Sequence, residues 1–261
     1  MECREIIAQL EFLAPSSYAC DWDNPGLIVG RNNQEIKKIL VALDATQKTI
    51  RKAVEEKADM IVTHHPMIFS SIKKVNDDDF IGEKIMTLIE HKICCFAMHT
   101  NYDIAGGMAE ICGSKMGLID PVPFECTGEM EGRPVGIGQI GTLAEKMTLT
   151  ECAKKVKEAF HLEHVLVFGD PDRIIETVAI SPGSGRSMLK EAWKKQADVL
   201  ITGDIGHHEG LDSMDMGFAV IEAGHYGLEH VFIDHVSRYL KEQNREIDVI
   251  PYYEGVPYQV Q

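Results

Sequence analysis

Four segments of this chain end an apolar run on side chains that ligate metals. They are "THHP" (Thr63–Pro66), "MHTNYDIAGG" (Met98–Gly107), "TGDIGHHE" (Thr202–Glu209) and "EAGHYGLEH" (Glu222–His230). Imidazole and carboxylate together suit Zn, Mn, Fe or Ni rather than an ion selected by thiolates. In the last segment Gly224 ends a strand and a helix starts near His225, so His225 and Glu229 lie four apart on one helical face. There they share an ion, bind adjacent ions, or form an ordinary surface pair worth roughly 0.2–0.5 kcal/mol. His64 and His65 pose a sharper problem. Neighbours in a regular strand point to opposite faces, and Pro66 biases His65 toward extended geometry. The pair therefore straddles two ions, converges where the strand ends, or meets solvent as loop histidines. His99 and Asp103 are ligand types too, with helix capping by Asp103 as the plain alternative. Core packing requires such residues at none of these four strand ends.

The elements that must position these residues are legible as an alternation. Short apolar runs at Gly26–Gly30, Lys38–Ala45, Asp59–His64 and Ile93–His99 read as strands. A second set lies at Val135–Leu143, His164–Phe168, Glu176–Ser181, Val199–Thr202, Phe218–Glu222 and Ile247–Tyr253. Helical periodicity fills Thr46–Lys57, Phe80–His91, Thr148–Phe160, Ser187–Gln196 and Tyr226–Gln243. An internal repeat organises the alternation. Ile39–Thr63 aligns without gaps on Val178–Thr202, and Ala53, Ala58, Asp59 and Thr63 recur as Ala192, Ala197, Asp198 and Thr202. The expected fold is α/β: two related halves with crossover helices, residues 1–122 plus 231–261 and residues 123–230. They join near Pro121–Gly136, which is rich in Pro, Gly and acids. Ligands of open α/β sheets bind beyond the carboxyl ends of the strands, so the expected metal site lies at those ends, between the halves.

Composition bounds the function. A chain of 261 residues with net charge −15 lacks the basic surface that duplex nucleic acid or an anionic membrane requires. Acidic side chains are compatible with metal cations. The seven cysteines form no CxxC pair, which reads as reduced intracellular thiols. The start "MECREIIAQLEFLAP" is acidic and helical rather than a signal peptide, and no apolar run approaches the ~18 residues of a membrane span. The expected location is the cytoplasm.

"WDNPGLIVG" (Trp22–Gly30), "VALDAT" (Val41–Thr46), "THHP", "HTNYD" (His99–Asp103), "TGD" and "GHYGLE" (Gly224–Glu229) resemble, in order, the signature segments of the Nif-three-like family. Many bacterial members are named as type-two GTP cyclohydrolase I homologues. The likeness spans nearly the whole chain. It is closest to the compact form, which lacks the inserted middle domain of longer members. The resemblance implies two divalent ions per chain held by His64, His65, Asp103, His225 and Glu229. It also implies a homohexameric ring with its sites facing an inner cavity. Two departures stand out: two histidines, His207 and His208, follow "TGD" where one is usual, and "SPGSG" (Ser181–Gly185) replaces a more glycine-rich loop.

An acid bridging two ions roughly 3.5–4 Å apart fits this set, and Glu229 or Asp103 is the expected bridge. His99, His207 and His208 remain as orienters or proton carriers. The SPGSG loop is either an anion cradle or an ordinary turn, so Ser184 and Gly185, with Asp44, are candidate substrate contacts. The expected activity is metal-dependent hydrolysis of a small molecule, most concretely a nucleotide. In that reading, water attacks C8 of the guanine of GTP, a histidine protonates the ring nitrogen and formate leaves. A two-metal phosphoester hydrolase and a metal-binding or regulatory scaffold without turnover are the alternatives.

Overall fold

Strand Met60–Thr63 is buried at all four positions, as a central parallel strand covered on both faces must be. It belongs to one of two sheets that the computed structural model describes over residues 1–259. The chain begins α1 (Cys3–Leu13), β1 (Gly26–Val29), β2 (Lys38–Ala42), α2 (Gln47–Glu56), β3 (Met60–Thr63), α3 (Phe80–Glu90), β4 (Cys94–Ala97) and α4 (Thr100–Ala105). It continues through α5 (Met108–Met116), β5 (Ile119–Met130), β6 (Arg133–Thr148), α6 (Leu149–Phe160), β7 (Leu166–Phe168) and β8 (Ile174–Ser184). Then follow α7 (Leu189–Lys194), β9 (Val199–Gly203), α8 (His207–Asp215), β10 (Ala219–Glu222), α9 (His225–Glu229), α10 (Val231–Gln243) and β11 (Asp248–Pro251). The architecture is α/β. No helix among the described residues is long and apolar enough to cross a membrane.

The chain divides into two units, one of Met1–Gly106 with the chain from Phe232 onward, the other of Gly107–Val231. In the first, the strand order is β1-β4-β3-β2-β11. All neighbours are parallel except β1, which runs antiparallel to β4. Ala42, Thr63 and Ala97 are paired across β2, β3 and β4, so these three strands end level on one edge. Leu40, Ile61 and Cys95 pack on one face with Ile50 and Ala53 of α2 and Leu88 of α3. Thr46 caps α2, its hydroxyl accepting from the N–H groups of Lys48 and Thr49.

The second unit has strand order β5-β6-β8-β9-β10-β7. Its β8, β9 and β10 are parallel, with Ser181, Thr202 and Glu222 level at their carboxyl ends. Phe124, Ile140, Leu200 and Val220 form its core with Leu189 and Ala192 of α7.

The sequence repeat is a repeat of hydrogen bonds. Ile39 pairs with Met60 in one unit and Val178 with Val199 in the other, at matching positions. Asp59 accepts from the N–H groups of Lys37 and Lys38, and Asp198 does the same for Glu176 and Thr177. Lys57 and Gln196, at matching positions, both turn out of their helices with positive φ, 55° and 57°.

Three expectations change. Pro121–Gly136 is no linker: it lies in the hairpin of β5 and β6, turned by Glu131 and Gly132, both with φ > 0 as a two-residue primed turn requires. Strand β5 is at the sheet edge, where its prolines sacrifice no interior ladder bond. The first boundary accordingly falls at Gly106–Gly107 instead of 122, because α5 and β5 belong with the second sheet. The return falls at Val231–Phe232, and residues 260 and 261 lie outside the described residues. Finally, the single helix expected over Tyr226–Gln243 is two, α9 and α10, meeting at His230.

Candidate metal centre

In the first unit, β3 stops at Thr63 and the next two N–H groups, of His64 and His65, both donate to the carbonyl of Leu43, at 3.2 and 3.0 Å. Two consecutive N–H groups aimed at one acceptor break the strand's alternation. The Thr63 hydroxyl fixes the turn by donating to the His65 carbonyl at 2.9 Å. The two imidazoles therefore converge, with ring centroids 4.8 Å apart. His99, just beyond β4, joins them: each of the three offers a ligand atom, and these atoms lie within 4.8 Å of one another.

Each ring is held by its Nδ1. His64 is fully buried and its Nδ1 lies 2.8 Å from the carbonyl of Met98. His65 Nδ1 lies 2.9 Å from Asp44 Oδ1, and His99 Nδ1 2.7 Å from Asp23 Oδ1. A carbonyl or ionised carboxylate only accepts, so Nδ1 carries the proton and Nε2 keeps its lone pair. This is how metal-binding imidazoles are oriented. His64 Nε2 faces Asp103 Oδ1 at 3.5 Å. Asp103 sits inside α4, where residue four of the helix reaches toward the strand ends, rather than capping it; the cap position is His99.

Asp23 is the best-anchored of these acids. Burial opposes its ionisation, yet the bonds from His99 and from the N–H and hydroxyl of Thr100 outweigh burial and hold its carboxyl down at about 2. It is therefore an anion that stays fixed against His99.

The second unit repeats the scheme. Gly224 (φ 77°) turns the chain out of β10 into α9. His225 Nδ1 lies 2.6 Å from Asp204 Oδ2, and its Nε2 faces Glu229 Oε2 at 3.0 Å, one helical turn on. Glu229 is 3% exposed. Two ligands at about 2.1 Å from a common ion stand roughly 3 Å apart, so this spacing suits a shared cation. Glycines admit the pair. A Cβ on Gly183 (φ +75°) would meet Glu229 Oε1 at 2.7 Å, and one on Gly203 would meet the backbone of His225 at 2.7 Å. The mixed imidazole and carboxylate donors thus fit a divalent cation such as Zn, Mn, Fe or Ni in both units.

Other expected residues stand elsewhere. The SPGSG loop extends β8 across a register shift and underlies α9. Gly185 donates its N–H to the Gly203 carbonyl at 3.0 Å, so that donor is spent within the fold, and Ser184 is exposed. His207 and His208 open α8 as exposed side chains and join no donor cluster among the described residues. Sequence reasoning missed Asp23 and Asp204 as partners of the histidines. Both stand in the quoted segments "WDNPG" and "TGD", and in the repeat Asp204 occupies the position equivalent to His65.

The family model described as Duf34/NIF3 (NGG1p interacting factor 3) matches residues 1–254. A Clostridium acetobutylicum protein named "GTP cyclohydrolase 1 type 2 homolog" is 34% identical over 230 residues, 88% of this chain and 85% of that one. A Bacillus subtilis relative of the same name is 27% identical over an alignment of 341 positions, longer than this whole chain, so it holds residues that this chain lacks. Among solved structures, a Bacillus cereus protein related to NIF3 has the same fold, with TM-score 0.94 at 22% identity, covering 100% of this chain and 99% of that one. Reduced HcgD from Methanocaldococcus jannaschii superposes with TM-score 0.82 at 28% identity, covering 96% and 97%.

Proposed function

We propose, from the premise that this chain belongs to the Duf34/NIF3 family, that it is a metal-dependent hydrolase of a small molecule. His64, His65 and Asp103 of the first unit and His225 and Glu229 of the second are read as ligands of two divalent ions. The observation that carries the reading is the uniform orientation of the histidines. His65, His99 and His225 each give Nδ1–H to a carboxylate and His64 gives it to a carbonyl, which leaves the Nε2 lone pair of each ring as the atom that would meet a metal ion. A surface pair or a strand end meeting water needs no such arrangement. When bound, the metal supplies a water whose pKa falls toward roughly 7.

The chain's own residues then orient and exchange protons. Asp44 and Asp204 fix the His65 and His225 rings, and Glu229, nearly buried, would be the carboxylate shared by the ions. His99, held by Asp23, is read as the proton carrier to a substrate nitrogen. The names of the relatives suggest GTP as substrate, with ring opening at C8 of its guanine. Cytoplasmic location and a homohexamer complete the reading, and mass measurement in solution checks the latter.

The test strips the purified protein with chelator, reloads Zn, Mn, Fe or Ni, and follows GTP loss and formate release. Turnover above that of a His64→Ala/His225→Ala double variant is expected, together with about two ions per chain. GTP turnover no higher than the double variant's removes this substrate. Turnover of phosphodiesters instead assigns phosphoester hydrolysis, and metal bound without turnover of either assigns a scaffold role.

A further inference from the structure

A cavity of about 470 Å³ opens in the first unit beside the histidine set, with His65 and Asp44 in its wall. That volume is within the range of small-molecule sites. Its apolar wall carries Phe69, Ile72 and Phe80, which are 53%, 43% and 64% exposed. Large apolar side chains left this open, and gathered around one cavity, mark a binding surface. Phe69 is extended by Trp22, stacked on it at 5.9 Å between centroids and 24° between planes, and Phe69 also meets the His99 ring edge-on at 5.5 Å.

The one cation in the cavity wall is Lys84. It is half-buried, with Nζ 5.5 Å from the centroid of the Phe80 ring. Among the described residues it forms no ion pair. Lysines are rarely buried unless paired, and burial here pushes its ammonium below the ordinary lysine range, although the field of Asp44 works the other way. In a chain of net charge −15, a half-buried, unpaired ammonium in an aromatic-lined cavity is matched by an anionic group on a ligand.

We propose that this cavity binds the body of the substrate as a planar aromatic group against Phe69 and Phe80, with an anionic substituent on Lys84 Nζ. The ring system thereby lies beside His65. The proposal rests on the hydrolase reading for what happens to the ligand, but not for its binding.

The test is fluorescence titration of the purified full-length protein with naphthalene-1-sulfonate, 1-naphthalenemethanol and 1-naphthylmethylamine. A sulfonate is a poor metal ligand, so its binding reads Lys84 rather than any ion. The sulfonate is expected to bind at least about tenfold tighter than the alcohol, and the amine weakest. Lys84→Met should abolish the preference, Lys84→Arg should keep it, and Phe69→Ala should weaken sulfonate and alcohol alike. Thermal midpoints of the variants near that of the unaltered protein show that folding is intact. Equal binding of sulfonate and alcohol, or a preference that survives in Lys84→Met, overturns the proposal. Failure to turn over either GTP or phosphodiesters, with the sulfonate preference intact, rejects the hydrolase reading and leaves this site standing.

Discussion

An imidazole is oriented toward a cation when its other nitrogen is held, and here small neighbours hold Nδ1. Asp204 is half exposed and touches His225 through one short bond, so it contributes little packing. Asp204→Ala should therefore leave the thermal midpoint nearly unchanged while weakening metal binding about 10–100-fold, read by competition with a chromogenic chelator. Unchanged affinity would show that Asp204 does not orient this ring. Gly183 acts by absence. Its φ of +75° and the 2.7 Å from its ideal Cβ to Glu229 Oε1 leave no room for a methyl group. Gly183→Ala should cost about 1–3 kcal/mol in denaturant unfolding, from the strained backbone alone, and displace the Glu229 carboxylate. A variant as stable as the parent and with full metal affinity sinks this account. At this scale the sequence was partly legible. Histidine and acid types at strand ends announce ligands, but nothing in a one-dimensional string says that two consecutive N–H groups share the Leu43 carbonyl. That shared acceptor is what makes His64 and His65 converge.

At the scale of elements, the parallel strands and their crossover helices were legible because buried strands are apolar throughout and amphipathic helices have their own period. What escaped was set by tertiary contact. Strand β5 exposes most of its residues at a sheet edge, so it lacks an apolar run and its prolines imitate a linker. Helix α8 contains Gly210, which reads as a breaker; a Cβ there would meet the Phe168 ring at 2.3 Å, so the glycine serves a close approach of helix to β7. The repeat was legible because its conserved spacing carries bonds. Asp59 accepts from two N–H groups at the entry to β2, and Asp198 accepts from two within β8. Either Asp→Ala leaves both donors without that charge-assisted partner. Each should cost about 1.5–3 kcal/mol by denaturant unfolding, with similar values if the bonds do the same work in the two units. An effect below about 0.5 kcal/mol at both would show that water replaces the carboxylate without loss.

For the molecule as a whole, charge and metal binding oppose each other in an informative way. At −15 the folded chain repels itself, and any divalent cation relieves some of that repulsion without a specific site. Stabilisation by metal is therefore evidence for a centre only when it depends on the ligands. Binding to the folded state alone contributes about 2.7 kcal/mol at a free metal concentration 100 times Kd. For a chain of this size that raises the thermal midpoint by roughly 5–10 °C. Zinc or manganese should produce this shift in the chelator-stripped protein, whereas magnesium, a hard ion poorly served by imidazole, should give only the small rise due to charge relief. In the His64→Ala/His225→Ala variant, which keeps the same net charge at neutral pH with its histidines uncharged, all three metals should converge on the magnesium value. If zinc still lifts the variant's midpoint as far as the parent's, the stabilisation comes from the acidic surface and the histidine sets are not the centre.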